Sequence, residues 1–510
     1  LKLLRLNFRN FFPWLCLTFV TLAILLPFIG IFSHYEISAS FEFSNYTSSI
    51  IFFTIYQSLI SALLSIIAGS LLAFLLNTYN NFYIVKIIAQ SQSIIFVLPT
   101  IITIFGILSF YGNFFEIYGL TGILFGHVIL NTPLVGRIIY QSLNEISPNE
   151  KMLSRQMGLR KISSFLASEW PIIKKNVPSL FVLVTFICFV SFTPVLILGG
   201  GPKYSTLEVS IYYSVIFSND FNAALNLLFF QLIICFAIYF IFFRNFKSQN
   251  FMIDDKRYIK TYFDLTLLNL LGLLILLIIT LIIFSPLLFI IVKGMNRELF
   301  NILTYTYLWE AIYNTLIICF FSGIISILVV YNLLVLTHKK TKASESLIYS
   351  LIIFSPAVMA VGYYILSFKL NLLYFPNIII VIILNSFFVL PFAYNYLAPS
   401  FFRVIKENDD ISNSLNLYGL SRFLTIDLPR LKKSIITAFC VSSILSASDL
   451  VVISFFGTND LSTLTQTIYR LMGSYRINEA YSVSLILLIF CFIYFFLAHK
   501  ILVKNKWNIH

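Results

Sequence analysis

Twelve stretches of roughly twenty predominantly apolar residues recur along the 510-residue chain, and no other feature limits its folding so tightly. A hydrocarbon core of ~30 Å is crossed by ~20 residues of helix. Within it every backbone N–H and C=O must be satisfied, which a helix does inside one segment and a single strand cannot do. In the first half the stretches are Pro13 to Ser33, Ile50 to Leu76, Ile87 to Tyr111, Gly119 to Tyr140, Pro178 to Leu198 and Ala223 to Phe243. In the second half they are Leu265 to Val292, Ala311 to Leu336, Leu347 to Phe368, Asn377 to Tyr396, Ser434 to Phe455 and Ala480 to Leu502. With 59% apolar and 11% charged residues and a mean hydropathy of +0.92, the composition excludes a soluble domain of this size. The expectation is an all-α polytopic membrane protein with about twelve transmembrane helices.

Basic residues set the orientation. With the N-terminus inside, 28 of the 34 Lys and Arg fall in cytoplasmic segments, and only Lys203, Lys293, Arg297, Lys369, Arg470 and Arg476 fall outside. Acidic residues divide about evenly, so the bias belongs to Lys and Arg, as the positive-inside rule requires. Both termini are therefore expected in the cytoplasm. The net charge of +13 reads as a topology signal and not as nucleic-acid binding. The first stretch follows Lys2, Arg5 and Arg9 like a signal peptide, but it is too long for an h-region and lacks a small-residue cleavage site, so a retained helix is expected.

The two halves repeat. Ile55-Tyr56-Gln57-Ser58-Leu59 is echoed by Ile312-Tyr313-Asn314-Thr315-Leu316, 257 positions on (312 minus 55). Pro99 and Pro356 share that offset, as do Ser205-Thr206-Leu207 and Ser462-Thr463-Leu464. Between these anchors the offset drifts, to 254 at Leu130-Asn131 and Leu384-Asn385 and to 261 at Gly158 and Gly419, and its return to 257 indicates a duplicated six-helix unit. Six is even, so the copies enter the membrane from the same side as parallel repeats, with a pathway expected between the halves. The domains so defined are 1–245, a basic cytoplasmic linker 246–262, and 263–510.

The longest polar interruption of the first half, Gln141 to Val177, has a counterpart at Ala398 to Lys433. The first carries Met157-Gly158-Leu159 and ends Glu169-Trp170-Pro171; the second carries Tyr418-Gly419-Leu420 and ends Asp427-Leu428-Pro429. A polar helix, a Gly that turns the chain and a second helix delimited by Pro make a stiff cytoplasmic knob. Two knobs on one chain suggest a two-fold partner.

Residues for chemistry are sparse. No phosphate-binding G-x-x-x-x-G-K-[ST] loop is present, and Gly199-Gly200-Gly201-Pro202-Lys203 lacks its spacing, so the chain is not expected to hydrolyse nucleotide or to act as an enzyme. The six Cys are scattered singly without metal-ligand spacing and read as small core residues. His127 lies inside a stretch and is expected to hydrogen-bond a neighbouring helix. The most informative charge is Asp449, within Ser446-Ala447-Ser448-Asp449-Leu450. A carboxylate at that depth costs about 2.5 to 3.5 kcal/mol on insertion scales and faces a cavity or a partner. Its alternative is a cap on a helix break near the outer surface, paired with Arg470 or Arg476. At its repeat position stand Phe192 and Thr193. The pathway candidates are thus Asn131, Thr193, Asn385, Ser448 and Asp449.

A cytoplasmic loop with Gly and a following acidic-x-Pro, once per six-helix repeat, resembles the coupling loop of permease subunits of ATP-binding-cassette importers. Four further segments resemble the thiamine (thiamine pyrophosphate) importer permeases: Phe105 to Gly112, Ile197 to Pro202 with Ser205 to Glu208, Asp449 to Val452 with Phe456-Gly457, and Gly473 to Arg476. The resemblance covers nearly the whole chain and implies the type I importer fold. It also implies two copies of a cytoplasmic ATPase, which bind ATP and Mg themselves, so that this chain carries no cofactor. The ATPases would dock on the loops around Gly158, Glu169, Pro171, Gly419, Asp427 and Pro429. A periplasmic thiamine-binding protein would deliver the ligand to Gly200, Gly201, Lys203, Asn459, Tyr475 and Arg476, in a bacterial inner membrane. The sequence departs from the superfamily loop, which begins Glu-Ala-Ala six residues before the Gly; Met152-Leu153-Ser154 and Asn413-Ser414-Leu415 stand there. The similar twelve-span ferric-iron permeases, and an ion-coupled secondary transporter, are the rival readings. Paired knobs and few buried ionisable residues speak against the second.

Overall fold

The computed structural model describes residues 2–34, 44–144, 165–245, 267–337, 354–370, 377–415, 419–458 and 460–504, with residues 146, 157, 163, 348, 351 and 417 placed singly between them. The first half holds α1 (Lys2–His34), α2 (Asn45–Thr78), α3 (Tyr83–Val97), α4 (Thr100–Tyr111), α5 (Leu120–Asn144), α6 (Trp170–Phe189), α7 (Thr193–Leu198), α8 (Leu207–Ile216) and α9 (Phe221–Asn245). The second holds α10 (Leu267–Gly294), α11 (Glu298–Ile302), α12 (Thr306–Thr337), α13 (Pro356–Lys369), α14 (Asn377–Ser414), α15 (Gly419–Arg422), α16 (Leu428–Ala447), α17 (Val451–Phe456), α18 (Leu464–Gly473) and α19 (Ile477–Lys504). No strand occurs among the described residues.

Nine helices among the described residues are long and apolar enough to cross a membrane. They correspond to nine of the twelve expected stretches. The third, Ile87 to Tyr111, is not one helix: α3 stops at Val97 and α4 starts at Thr100. Pro99 between them lacks an N–H and disfavours helix at the residue before it. The ninth, Leu347 to Phe368, lies partly outside the described residues, and its described helix starts at Pro356 with the Ser355 hydroxyl as N-cap, accepting from Val358 N. The eleventh, Ser434 to Phe455, is cut into α16 and α17 at Ser448–Leu450. The fifth, Pro178 to Leu198, is likewise cut into α6 and α7 at Val190–Phe192. Its long arm extends backwards to Trp170 and, with the turn before it, is long and apolar enough to cross a membrane without α7.

Contacts divide the chain into two compact units: Leu1–Glu42, Ile211–Leu232 and Lys293–His510 in one, and Phe43–Ser210 with Ile233–Val292 in the other. In the first unit α1 packs along α13 and α12. Gly30 and Gly362 meet there backbone to backbone, and a Cβ on Gly362 would lie 2.5 Å from the Pro27 Cβ. In the second unit α10 lies against α4 and against Tyr79, the residue that follows α2. Tyr111 Oη and Ser285 Oγ are 2.8 Å apart, and Gly106 abuts Pro286. The leading helix of each sequence half thus packs on helices of the other half. Both cores are apolar: Leu72, Ile101, Phe105, Ile129 and Phe189 in one, Val381, Phe401, Ile444 and Ile468 in the other, all under 4% exposed. By contrast Phe52, Ile67, Leu274, Leu281 and Phe496 project outward, as bilayer-facing side chains do.

Candidate functional site

α14 runs on past its apolar stretch for 38 residues in all, about 57 Å at the helical rise. Its last turns, with Arg403, Lys406, Glu407, Asp409 and Asp410, carry the polar arm of the second knob. The chain reverses at Gly419, whose φ of +57° is the left-handed conformation that glycine adopts without steric cost. α15 follows, then a five-residue π-helical turn, Phe423–Asp427, and α16 with Pro429 in its first turn. The first knob has the same ending: a π-helical turn at Phe165–Glu169, then α6 with Pro171 in its first turn. Gly158 lies outside the described residues.

Both π-turns are fixed to the long helix that opens their bundle. Phe165 packs edge-on to Phe74 of α2 with centroids 4.9 Å apart, and Phe423 packs edge-on to Tyr331 of α12 at the same 4.9 Å. Phe74 and Tyr331 are 257 positions apart (331 minus 74). Each turn's acid is held on the same helix. Asn77 Nδ2 donates to Glu169 Oε1 at 2.8 Å, and the Tyr331 hydroxyl donates to Asp427 Oδ2 at 2.6 Å. Asp427 is 2% exposed, and the Arg422 Nε lies 3.6 Å from its Oδ1, while Arg422 also donates to Asp409 at 2.7 Å. Burial raises the Asp427 carboxyl above the usual range, and the Tyr331 and Arg422 contacts oppose that rise. The knobs expose apolar side chains among their charged ones, with Met157, Leu166, Leu415, Leu420 and Leu424 all more than half exposed.

The other polar centres lie at the interrupted helices. In the first half His127 of α5 bridges α2 and the break: its Nδ1 is 3.0 Å from Ser61 Oγ and its Nε2 2.8 Å from Ser191 Oγ. Gln57 Nε2 donates to the Cys188 carbonyl at 3.0 Å, and Asn131 Nδ2 to the His127 carbonyl and the Cys188 Sγ. Thr193 is buried as the first residue of α7, and Pro194 beside it removes one donor that the short helix would otherwise leave unpaired. In the second half Asp449 stands in the break. Its Oδ1 accepts from Val451 N at 3.1 Å and Val452 N at 3.3 Å, while Oδ2 is covered and has no donor. Ser448 Oγ turns back to the Leu445 carbonyl, Asn385 Nδ2 reaches the Ser446 carbonyl at 3.5 Å, and Thr465 Oγ1 donates to the Ala447 carbonyl. Asp449 therefore does cap a helix, but neither arginine pairs with it: Arg470 donates to the Thr458 carbonyl, and Arg476 to Glu479.

Asn131, Thr193, Asn385, Ser448 and Asp449 thus gather at two breaks, one in each half. Among the expected docking residues, Gly200 and Gly201 have φ of +69° and +134° in an exposed loop, and Lys203 Nζ sits over the Tyr204 ring. Tyr475 is 90% exposed at a φ of +60°, and Arg476 lies over the Tyr305 ring. Asn459 lies outside the described residues. Sequence reasoning passed over Asn77 and Tyr331, although the 257 offset from the aromatic Phe74 marks Tyr331. No group of three metal-ligating side chains occurs among the described residues.

The thiamine transport system permease protein ThiP of Escherichia coli is 30% identical over 495 residues, covering 90% of this chain and 90% of its own. The protein of the same name from Haemophilus influenzae is 30% identical over 482 residues, 89% of each chain. That from Brucella abortus is 26% identical over 499 residues, 92% of this chain and 90% of its own. No family model matches the chain, and no solved structure matches it.

Proposed function

Because the chain belongs to the family of thiamine transport system permease proteins, we propose that it is the membrane subunit of an ATP-binding-cassette importer for thiamine. The observation that carries this reading is collinearity: the likeness runs through nine-tenths of both chains and takes in both knobs and both breaks, not one motif. The ferric-iron and secondary-transporter readings have no comparable support.

In this reading the chain makes about twelve crossings as two parallel six-helix repeats, with both termini in the cytoplasm of a bacterium's inner membrane. The paired contacts support the duplication. Leu207 N donates to Thr54 Oγ1 at 3.1 Å, and its mate 257 positions on (464 minus 207), Leu464 N, donates to Thr315 Oγ1 at 3.0 Å. The breaks and the π-turns recur 258 positions apart (448 minus 190; 423 minus 165). The repeat boundaries near 245 and 263 describe how the sequence was duplicated; the contact units describe how its leading helices pack.

Two copies of a cytoplasmic ATPase dock on the exposed apolar side chains of the knobs. Closure of the ATPases on ATP moves the π-turns, and the anchors Asn77–Glu169 and Tyr331–Asp427 pass that movement to α2 and α12. A stiff linkage is required, because a partner shifts a two-state equilibrium only by its differential affinity for the states. A binding protein delivers the ligand at the loops around Gly200, Lys203 and Tyr475. ATP and Mg stay with the ATPases. The test is uptake of labelled thiamine into proteoliposomes holding this chain, its ATPase and its binding protein. Uptake that needs ATP on the knob side supports the reading; uptake driven by an ion gradient without ATP overturns it.

A further inference from the structure

We propose that Asp449 and Asn385 form a site inside the second bundle for the organic cation in transit, favouring the unesterified cation over its pyrophosphate ester. This rests on the importer reading and gives the break a chemical task.

The break has no structural need of a charge. Val190–Phe192 interrupts the first bundle at the matching position without a charged side chain, and the N-cap position of α7, Phe192, supplies no side-chain cap. Where a side-chain cap is wanted, Ser or Asn accepts the same N–H bonds as Asp and carries no charge. Asp449 spends one oxygen, Oδ1, on Val451 N and Val452 N. The other, Oδ2, is covered and receives no donor, and none of the ion pairs among the described residues involves Asp449. A carboxylate whose second oxygen is left bare at this depth is costly to fold and is not explained by capping.

Asn385 supplies a second, independent observation. It is 3% exposed on α14, and its side chain adjoins both the Ser446 carbonyl and the Asp449 carboxylate. Both neighbours only accept, so the amide NH₂ must face them, and Oδ1 is left with no donor. Two bare acceptors, one of them charged, therefore share one place on α14 and the α16–α17 break. Apart from the Asn385 amide turned toward the carboxylate, no donor among the described residues reaches either oxygen, so their complement is a cation that brings N–H groups of its own. The unesterified thiamine of the importer reading has a permanently cationic ring and an aromatic amine. Its pyrophosphate ester adds negative charge that meets the same carboxylate with repulsion. Both oxygens are covered in this conformation, so the ligand reaches them once the break opens. The Ser448 and Ser446 ends of the break are held by neutral hydrogen bonds, Ser448 Oγ to the Leu445 carbonyl, Ser322 Oγ to Ser446 Oγ and Asn385 Nδ2 to the Ser446 carbonyl, so no covalent or ionic tie resists that opening.

The test uses the complete complex of this chain, its ATPase and its binding protein in lipid, with labelled thiamine and labelled thiamine pyrophosphate. The key variant is Asp449→Asn, which keeps the cap and the shape and removes the charge. Asp449→Glu restores the charge, and elution of each variant as an intact complex on size exclusion reports folding. The expected result is thiamine uptake lowered about tenfold or more in Asp449→Asn, as loss of a charge-assisted hydrogen bond implies. Thiamine should lose its preference over the ester, and Asp449→Glu should recover part of both. Intact Asp449→Asn complex with wild-type uptake and wild-type preference overturns the site and leaves the importer reading standing. A wild-type complex that neither binds nor takes up thiamine overturns both.

Discussion

The break at Val190–Phe192 and the break at Ser448–Leu450 hold matching positions and are built in opposite ways. The first is closed from within: His127 reaches from α5 to Ser61 on one side and Ser191 on the other, and Pro194 trims the donors of the short helix behind it. The second is opened by a cap whose outer oxygen faces no donor, next to an amide oxygen in the same condition. An interrupted helix at this depth therefore does not require a charge. The two breaks divide the labour, the first serving as structure and the second retaining polar capacity that folding does not use.

Substitutions separate the two roles. His127→Ala removes two hydrogen bonds and leaves a cavity beside Ser61 and Ser191, and should lower stability by about 2–4 kcal/mol in thermal unfolding of the purified protein. Asp449→Asn should change stability by less than about 1 kcal/mol while lowering uptake. If His127→Ala spared stability and Asp449→Asn unfolded the protein, the division would be reversed. Thr54→Val and Thr315→Val each orphan one buried N–H, of Leu207 and Leu464, and should cost about 1–3 kcal/mol apiece. The two losses should agree within ~0.5 kcal/mol, because these bonds are alike in both halves; a large inequality would undo the likeness of the two contacts. Tyr331→Phe keeps the ring contact with Phe423 and deletes the bond to buried Asp427, for about 1.5 kcal/mol. It should also raise the ATP hydrolysed per thiamine transported. Gly419→Ala is also a small change: a Cβ there meets nothing within 4 Å, so only the left-handed backbone is penalised, by about 1 kcal/mol.

Much of this was legible in the chain, for reasons that also mark where legibility ends. Apolar stretches such as Asn45–Thr78 and Leu270–Gly294 announce themselves because a bilayer imposes both their length and their composition. The recurring offset near 257 marked the matching elements. The breaks were less visible, since Ser434 to Phe455 and Pro178 to Leu198 read as continuous on hydropathy; only the Pro at 194 and the Asp at 449 hint that the helix stops. Asn77 and Tyr331 were hidden for a different reason. A polar side chain near a helix end is ordinary, and its partner lies 92 or 96 positions away in a knob whose π-helical turn no periodicity forecasts. His127 was expected to bond a neighbouring helix and does so, but that it would tie a helix break could not be read without the break itself.

The most direct measurement of the account is ATP hydrolysis by this chain assembled with its ATPase in lipid, with and without a thiamine-loaded binding protein. The prediction is stimulation by the loaded protein and none by the empty protein or by an iron-loaded one. An assembly whose hydrolysis ignores the thiamine-loaded protein, or one with no ATPase bound to the knobs while thiamine still enters on an ion gradient, would contradict it.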